Sequence, residues 1–148
     1  ARFGGVEDFF ISVDVDGDRV IVGESKKGRR GSGVATVFAR QPDGTWAKAT
    51  ELRPRVPYDY GAFGTEVSIH GDVALVAGYD EQLGYEFNID RVVYVFAYDA
   101  QTGQWKQRRV IDIGNVAFGT ALALAGEFAL IGQASDAQAG AAYVVRIW

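Results

Sequence analysis

Few side chains in this chain could do chemistry, and most that could are suited to binding. Trp46 and Trp105 stand at matching places beside an Asp43-Gly44 and a Thr102-Gly103 turn. An indole face can stack on the apolar face of a pyranose, and a recurring aromatic can equally be scaffold packing. The segment from Tyr79 to Asp90 brings Tyr79, Asp80, Glu81 and Tyr85 together with further acids and aromatics. It is the local candidate for a ligand or cation site, or else a tolerated surface insertion. Tyr58 and Tyr60 form a pair of the kind common in recognition loops, and a packed connection explains them as well. Lys26, Lys27, Arg29 and Arg30 could meet a polyanion such as a sulfated glycan, or stay a solvated loop. Asp14, Asp16 and Asp18 offer three alternating carboxylates. Ca²⁺ takes about six to eight oxygens from a loop that wraps it, which a tight turn does not supply, so a solvated hairpin is the competing reading.

Other chemistry is excluded or unsupported. With no Cys there is no disulfide, thiol nucleophile or thiolate metal site, and His70, the single His, rules out a two-histidine site within one chain. No nucleophile elbow, phosphate-cradling Gly loop or Ser/His/Asp pattern is present. Paired acids for glycoside hydrolysis need a set separation that sequence alone does not give. A net charge of −4 argues against nucleic acid as partner. No apolar run is long enough to insert in a membrane as a helix. The first ten residues lack a signal-peptide pattern. Met is absent altogether, so the chain reads as a mature, trimmed or partial product.

The elements that must carry these residues repeat. The run Ile11 to Gly23 aligns with Thr65 to Gly78 and with Thr120 to Gly132, and the turn glycines Gly17, Gly71 and Gly126 are 54 and 55 residues apart. Gly33 to Ala39 aligns with Arg91 to Ala97 and with Gly140 to Arg146. The runs are short, rich in Val, Ile, Tyr and Phe, and bounded by turn residues, which predicts strands near 11–15, 19–23, 33–39, 45–51, 65–69, 73–77, 91–97, 104–110, 120–124, 128–132 and 141–147. Asp16-Gly17 is read as the first hairpin turn, with His70-Gly71 and Ala125-Gly126 in the same place. The expected fold is all-β. Four-stranded antiparallel units at a period of roughly 40–55 residues predict propeller blades, here 9–62, 63–117 and an incomplete 118–148. A β-sandwich is the rival.

These repeats resemble the FG-GAP family of integrin α-chains and secreted bacterial proteins. The Phe-Gly pair stands at Phe63-Gly64 and Phe118-Gly119, and Gly71 to Gly78 is similar to the family's inner strand. The Gly-Ala-Pro end is eroded, and the family's Ca²⁺ loop is reduced to a tight turn at Asp14, Asp16 and Asp18, so no cofactor is expected beyond that weakened Ca²⁺ possibility. The resemblance implies a secreted or cell-surface, non-enzymatic adhesion module, presenting loops at the ends of a propeller axis to a protein or glycan. A lectin that closes its ring from identical chains, and part of the propeller of a polysaccharide hydrolase or lyase, are the alternatives. Propellers close with roughly 4–8 blades, so further blades are expected from a longer chain or from identical chains.

Overall fold

Eleven short runs of β-branched, aromatic and small residues become strands in the computed structural model, which describes residues 11–80, 90–134 and 139–148. The first sheet is the meander β1 (Ile11–Asp16), β2 (Arg19–Glu24), β3 (Val34–Arg40) and β4 (Trp46–Leu52). The second is β5 (Val67–His70), β6 (Val73–Asp80), β7 (Asp90–Asp99) and β8 (Gln104–Ile111). The third holds β9 (Phe118–Ala125), β10 (Phe128–Gln133) and β11 (Ala141–Arg146), with β10 in the middle. Every pairing between these strands is antiparallel, and an isolated parallel bridge joins Gly33 to Phe63. The one helical element among the described residues is a three-residue 3₁₀ turn, Arg29–Gly31, and no helix there is long and apolar enough to cross a membrane. No sheet closes on itself.

The expected strands are all present, and the turns move by one residue. Asp16 pairs with Arg19, His70 with Val73 and Ala125 with Phe128. The loops are therefore Gly17-Asp18, Gly71-Asp72 and Gly126-Glu127, not the dipeptides ending in Gly. The reason is conformational. The first loop residue takes φ near +55° in all three (56°, 53° and 58°), a region that Gly enters without steric cost.

The sheets stack face on face, with the second in the middle. Ile21, Ala35, Val37 and Leu52 of the first sheet form one core with Val67, Ile69, Ala74, Val76, Tyr94 and Phe96 of the second. The opposite face of the second sheet (Val73, Leu75, Val93, Val95, Ile111) forms another core with Ala129 and Ile131 of the third, joined by half-buried Leu122, Leu124, Tyr143 and Val145. The face each sheet turns to its predecessor is called its front here, and the other its back. Because period-2 alternation assigns alternate residues to opposite faces, β6 is apolar along its whole buried length while β10 alternates between buried and half-open positions.

The Phe-Gly pair makes the crossover between sheets. Phe63 is fully buried and meets Tyr94 and Phe96 edge-on, with ring centroids 5.2 and 5.9 Å away. Gly64 follows at φ +99°, against the backbone of the first sheet. A Cβ at Gly64 would lie 2.6 Å from the Val34 carbonyl oxygen, and one at Gly23 would lie 2.2 Å from the Gly64 carbonyl oxygen. The aromatic ring fills the core while two side-chain-free backbones pass in contact, so Phe and Gly recur as a pair for separate steric reasons.

Candidate functional site

A concave site carrying several charges and an aromatic lies between the outer strands of the first two sheets. It is a cleft of about 480 Å³. The end of β4 and the segment after it supply Glu51, Leu52, Arg53 and Arg55, and β7 and β8 supply Phe96 and Trp105 to Arg108. A larger concavity of about 610 Å³ beside Asp18, Arg40 and the Gln41–Gly44 turn is made of turn residues. There Arg40 is near Asp18 at 3.7 Å, and Asp43 is occupied by the Thr45 hydroxyl and N–H, which hold its carboxyl below the usual range.

The cleft is cationic because its carboxylates are already in use. Glu51 binds Lys48 (2.7 Å) and Arg53 (3.0 Å), and hydrogen bonds from Lys48 first and Arg53 second hold its carboxyl below the ordinary value. Lys106 pairs with Asp99 at 2.8 Å, and that hydrogen bond is the main reason the Asp99 carboxyl is lowered to about 2. Among the described residues the Arg55 guanidinium donates to the Gln107 carbonyl (3.2 Å), while the Arg55 N–H donates to Gln107 Oε1 (2.7 Å) and so ties β8 to the end of β4. Arg108 is exposed, with no carboxylate partner among the described residues. Two guanidinium groups thus stand without a carboxylate among the described residues, beside an apolar floor of Leu52, Phe96 and the half-buried Trp105. A guanidinium fork matches sulfate, carboxylate or phosphate oxygens in pairs.

The two tryptophans occupy equivalent strand positions and different surroundings. Trp105 pairs across the strands with Tyr98, and the Arg19 guanidinium lies over both rings, 5.4 Å from Trp105 and 4.7 Å from Tyr98. One part of the indole is therefore spent on packing against the first sheet, and another lines the cleft. Trp46 is half-buried opposite Arg40 on the front of the first sheet, so the structure does not bring the two rings together.

The other candidates read from sequence fall elsewhere. Asp14 and Asp16 bond to the neighbouring sheet rather than converging on an ion. Asp14 Oδ2 accepts from the Ser68 hydroxyl (2.9 Å) and the Ile69 N–H (2.8 Å), and Asp16 Oδ2 accepts from the Gly71 N–H (2.6 Å). Asp18 sits on the turn near Arg40. Among the described residues no cluster of three or more His, Asp or Glu is placed to hold a metal ion, so these carboxylates do not form the site weighed from their spacing. Their alternation places Asp14 and Asp16 on one face, where the next sheet's amides use them. Tyr79 and Asp80 end β6. The Tyr94 hydroxyl lies 3.4 Å from the Tyr79 carbonyl and 3.2 Å from Asp80, and burial first, then Asp80, raises its pKa well above the ordinary phenol value. Glu81 and Tyr85 lie outside the described residues. Tyr60 is exposed at φ +66°, and Tyr58 to Gly61 docks on the 3₁₀ turn through Tyr60 N–H to Arg30 O and an Arg30–Asp59 pair at 3.2 Å. Part of the basic cluster is neutralised there, since Lys27 also binds the buried Glu24 at 2.9 Å.

Sequence reasoning missed Arg53, Arg55, Gln107 and Arg108. The signal was present, because Arg53-x-Arg55 and Lys106-x-Arg108 put cations at alternate positions. Their meeting across one cleft depends on how the sheets stack. A scan against protein-family models finds no match to the chain, and a search of curated proteins finds none either.

Proposed function

We propose that this chain is a non-enzymatic binding module, secreted or at the cell surface, whose stacked sheets are FG-GAP-like propeller blades and whose ligand is an acidic glycan. The observation that carries this reading is the cleft where Arg55 and Arg108 stand beside Trp105 without carboxylate partners among the described residues. A sugar bearing sulfate or carboxylate would place its anionic group on the guanidinium donors and an apolar ring face against the aromatic and aliphatic floor. The three stacked antiparallel sheets, and the Phe-Gly pair that repeats at Phe63 and Phe118, support the blade reading. The cleft opens on the outer-strand side of the stack, so the ligand is taken at the circumference and not by the loops at the strand ends.

Titration calorimetry with sulfated, uronate-containing and neutral oligosaccharides tests this. Binding is expected for the acidic sugars only, weakening as salt rises. Arg108→Ala and Arg55→Ala should each weaken it roughly tenfold, which corresponds to about 1.4 kcal/mol. Equal binding of neutral sugars, or acidic-sugar binding untouched in both variants, would remove the cleft from consideration.

A further inference from the structure

The outer strand β8 serves the grooves on both of its sides. Val95 pairs with Arg109 and Phe96 with Gln107, which leaves Arg108 as the extra residue of a β-bulge. Arg108 lines the cleft against the first sheet. Its neighbour Arg109 reaches the other way, where Nη1 donates to the Arg146 carbonyl of the third sheet at 3.2 Å. Both arginines are exposed, and neither has a carboxylate partner among the described residues. The bulge belongs to the scaffold and the arginines do not. β4 has the same irregularity at the matching place, Val37 pairing with Thr50 and Phe38 with Lys48, and the two residues there are Ala49 and Thr50. Strand pairing therefore accepts a methyl group and a hydroxyl at these positions. Two adjacent guanidinium groups repel one another when no carboxylate offsets them, and this chain's 19 acidic residues outnumber its 15 basic ones.

We propose that a linear acidic polysaccharide crosses β8, with one anionic sugar in the cleft at Arg55 and Arg108 and another at a second subsite on Arg109. This inference rests on the glycan reading of the cleft and extends it from one acidic sugar to a chain. Among the described residues the Arg109 guanidinium makes one hydrogen bond, so most of its fork of donors is open to a sulfate or carboxylate. Arg146 beside it is already held by Glu127 at 2.7 Å. Arg109, and not Arg146, is therefore the cation that this groove offers to a ligand, and Glu127 is not left free to repel one. Stacked sheets lie about 10 Å apart, so the two subsites on either side of β8 are separated by a distance of that order. A short chain spans it and a single sugar ring does not.

Titration calorimetry with a heparin disaccharide and a heparin octasaccharide tests it. Arg109→Ala should weaken the octasaccharide about tenfold and change the disaccharide by less than about twofold. Arg108→Ala should weaken both, and Arg109→Lys should restore part of the octasaccharide affinity, because the charge returns without the fork. The double variant Arg108→Ala with Arg109→Thr copies the first sheet, so it should melt as the wild type does and bind both fragments more weakly. A lowered melting temperature would make the arginines structural and overturn the proposal. The second subsite is also overturned if Arg109→Ala leaves octasaccharide binding intact while Arg108→Ala weakens it, or if Arg109→Ala weakens both fragments equally. The cleft reading itself fails, and this inference with it, if the wild type binds neither fragment. An oligothymidylate of matched charge that binds as tightly as the octasaccharide would overturn the polysaccharide as ligand.

Discussion

The two junctions between sheets share a geometry and differ in chemistry. At the first, β1 sends Ser12, Asp14 and Asp16 onto the amides of Val67, Ile69 and Gly71, the Ser12 hydroxyl donates to Glu66, and Arg19 reaches Asp72 at 2.6 Å. At the second, the positions matching Asp14 and Asp16 are Ser68 and His70, and the facing β9 residues are leucines and alanines. That junction is held by its apolar core, in which buried Phe118 lies edge-on to Tyr143 of its own sheet at 5.8 Å, and by Arg91 donating across to the Gly119 carbonyl. One close backbone approach differs too. Gly23 meets Gly64 at the first junction, whereas its counterpart Ala77 meets Gly119 at the second with the space its methyl needs. One arrangement of sheets is thus compatible with a polar, register-fixing seam and with an oily, permissive one. Stacking is set by the apolar faces, and the polar groups fix alignment where they occur, since unpaired strand amides are costly to bury.

The largest test of that distinction is the crossover aromatics. Phe63→Ala and Phe118→Ala should each cost about 3–5 kcal/mol in urea unfolding, as truncation of a buried Phe does. Phe63 should sit at the upper end because it meets two rings and Phe118 one. The reverse order would show that ring contacts do not distinguish the two junctions.

A smaller effect separates the polar seam from the oily one. Asp14→Ala removes the acceptor for Ser68 and Ile69 and should destabilise by about 1–3 kcal/mol. In a double-mutant cycle most of the Ser68→Ala cost should vanish in the Asp14→Ala background. Ala123→Ser, at the matching place on the third sheet, should change stability by less than about 0.5 kcal/mol.

The smallest effect concerns the outer strands. Asp99, near pH 2 in the fold against 3.8 ordinarily, binds fewer protons folded than unfolded between those values. Its stabilisation is complete above the unfolded value and is lost as pH falls through about 2. Lys106→Met removes the main cause, so an NMR titration should find the Asp99 carboxyl moved upward toward 3.8. An unmoved titration would mean that the bonds from Thr102 and Gln101 suffice.

Much of the architecture was legible in the residues. Short Val- and Ile-rich runs between turn glycines announce strands, because β-branched side chains suit a pleated surface and Gly suits positive φ. The apolar run Val73 to Ala77 becomes a strand buried on both faces, while the equally apolar Phe128 to Ile131 is buried on one face only, a difference that follows from how the sheets stack and not from the residues. The turn position was misread by one residue, since a Gly dipeptide marks a hairpin without saying which residue pairs last. The candidate site was far less legible. Asp14, Asp16 and Asp18 could be weighed only as a weak ion site or a solvated hairpin, because spacing along one strand is visible, while the amides that Asp14 and Asp16 accept from lie some fifty residues away.

Composition and local pattern by themselves determined that this protein is built of short antiparallel strands in repeating groups, because side-chain shape and turn geometry act within a few residues. Only the tertiary structure decided which of its charges are spent and which are left over. Arg53, Arg55, Lys106 and Arg108 are alike in sequence, and what separates the paired from the unpaired is the placement of Glu51 and Asp99 beside two of them in the folded stack.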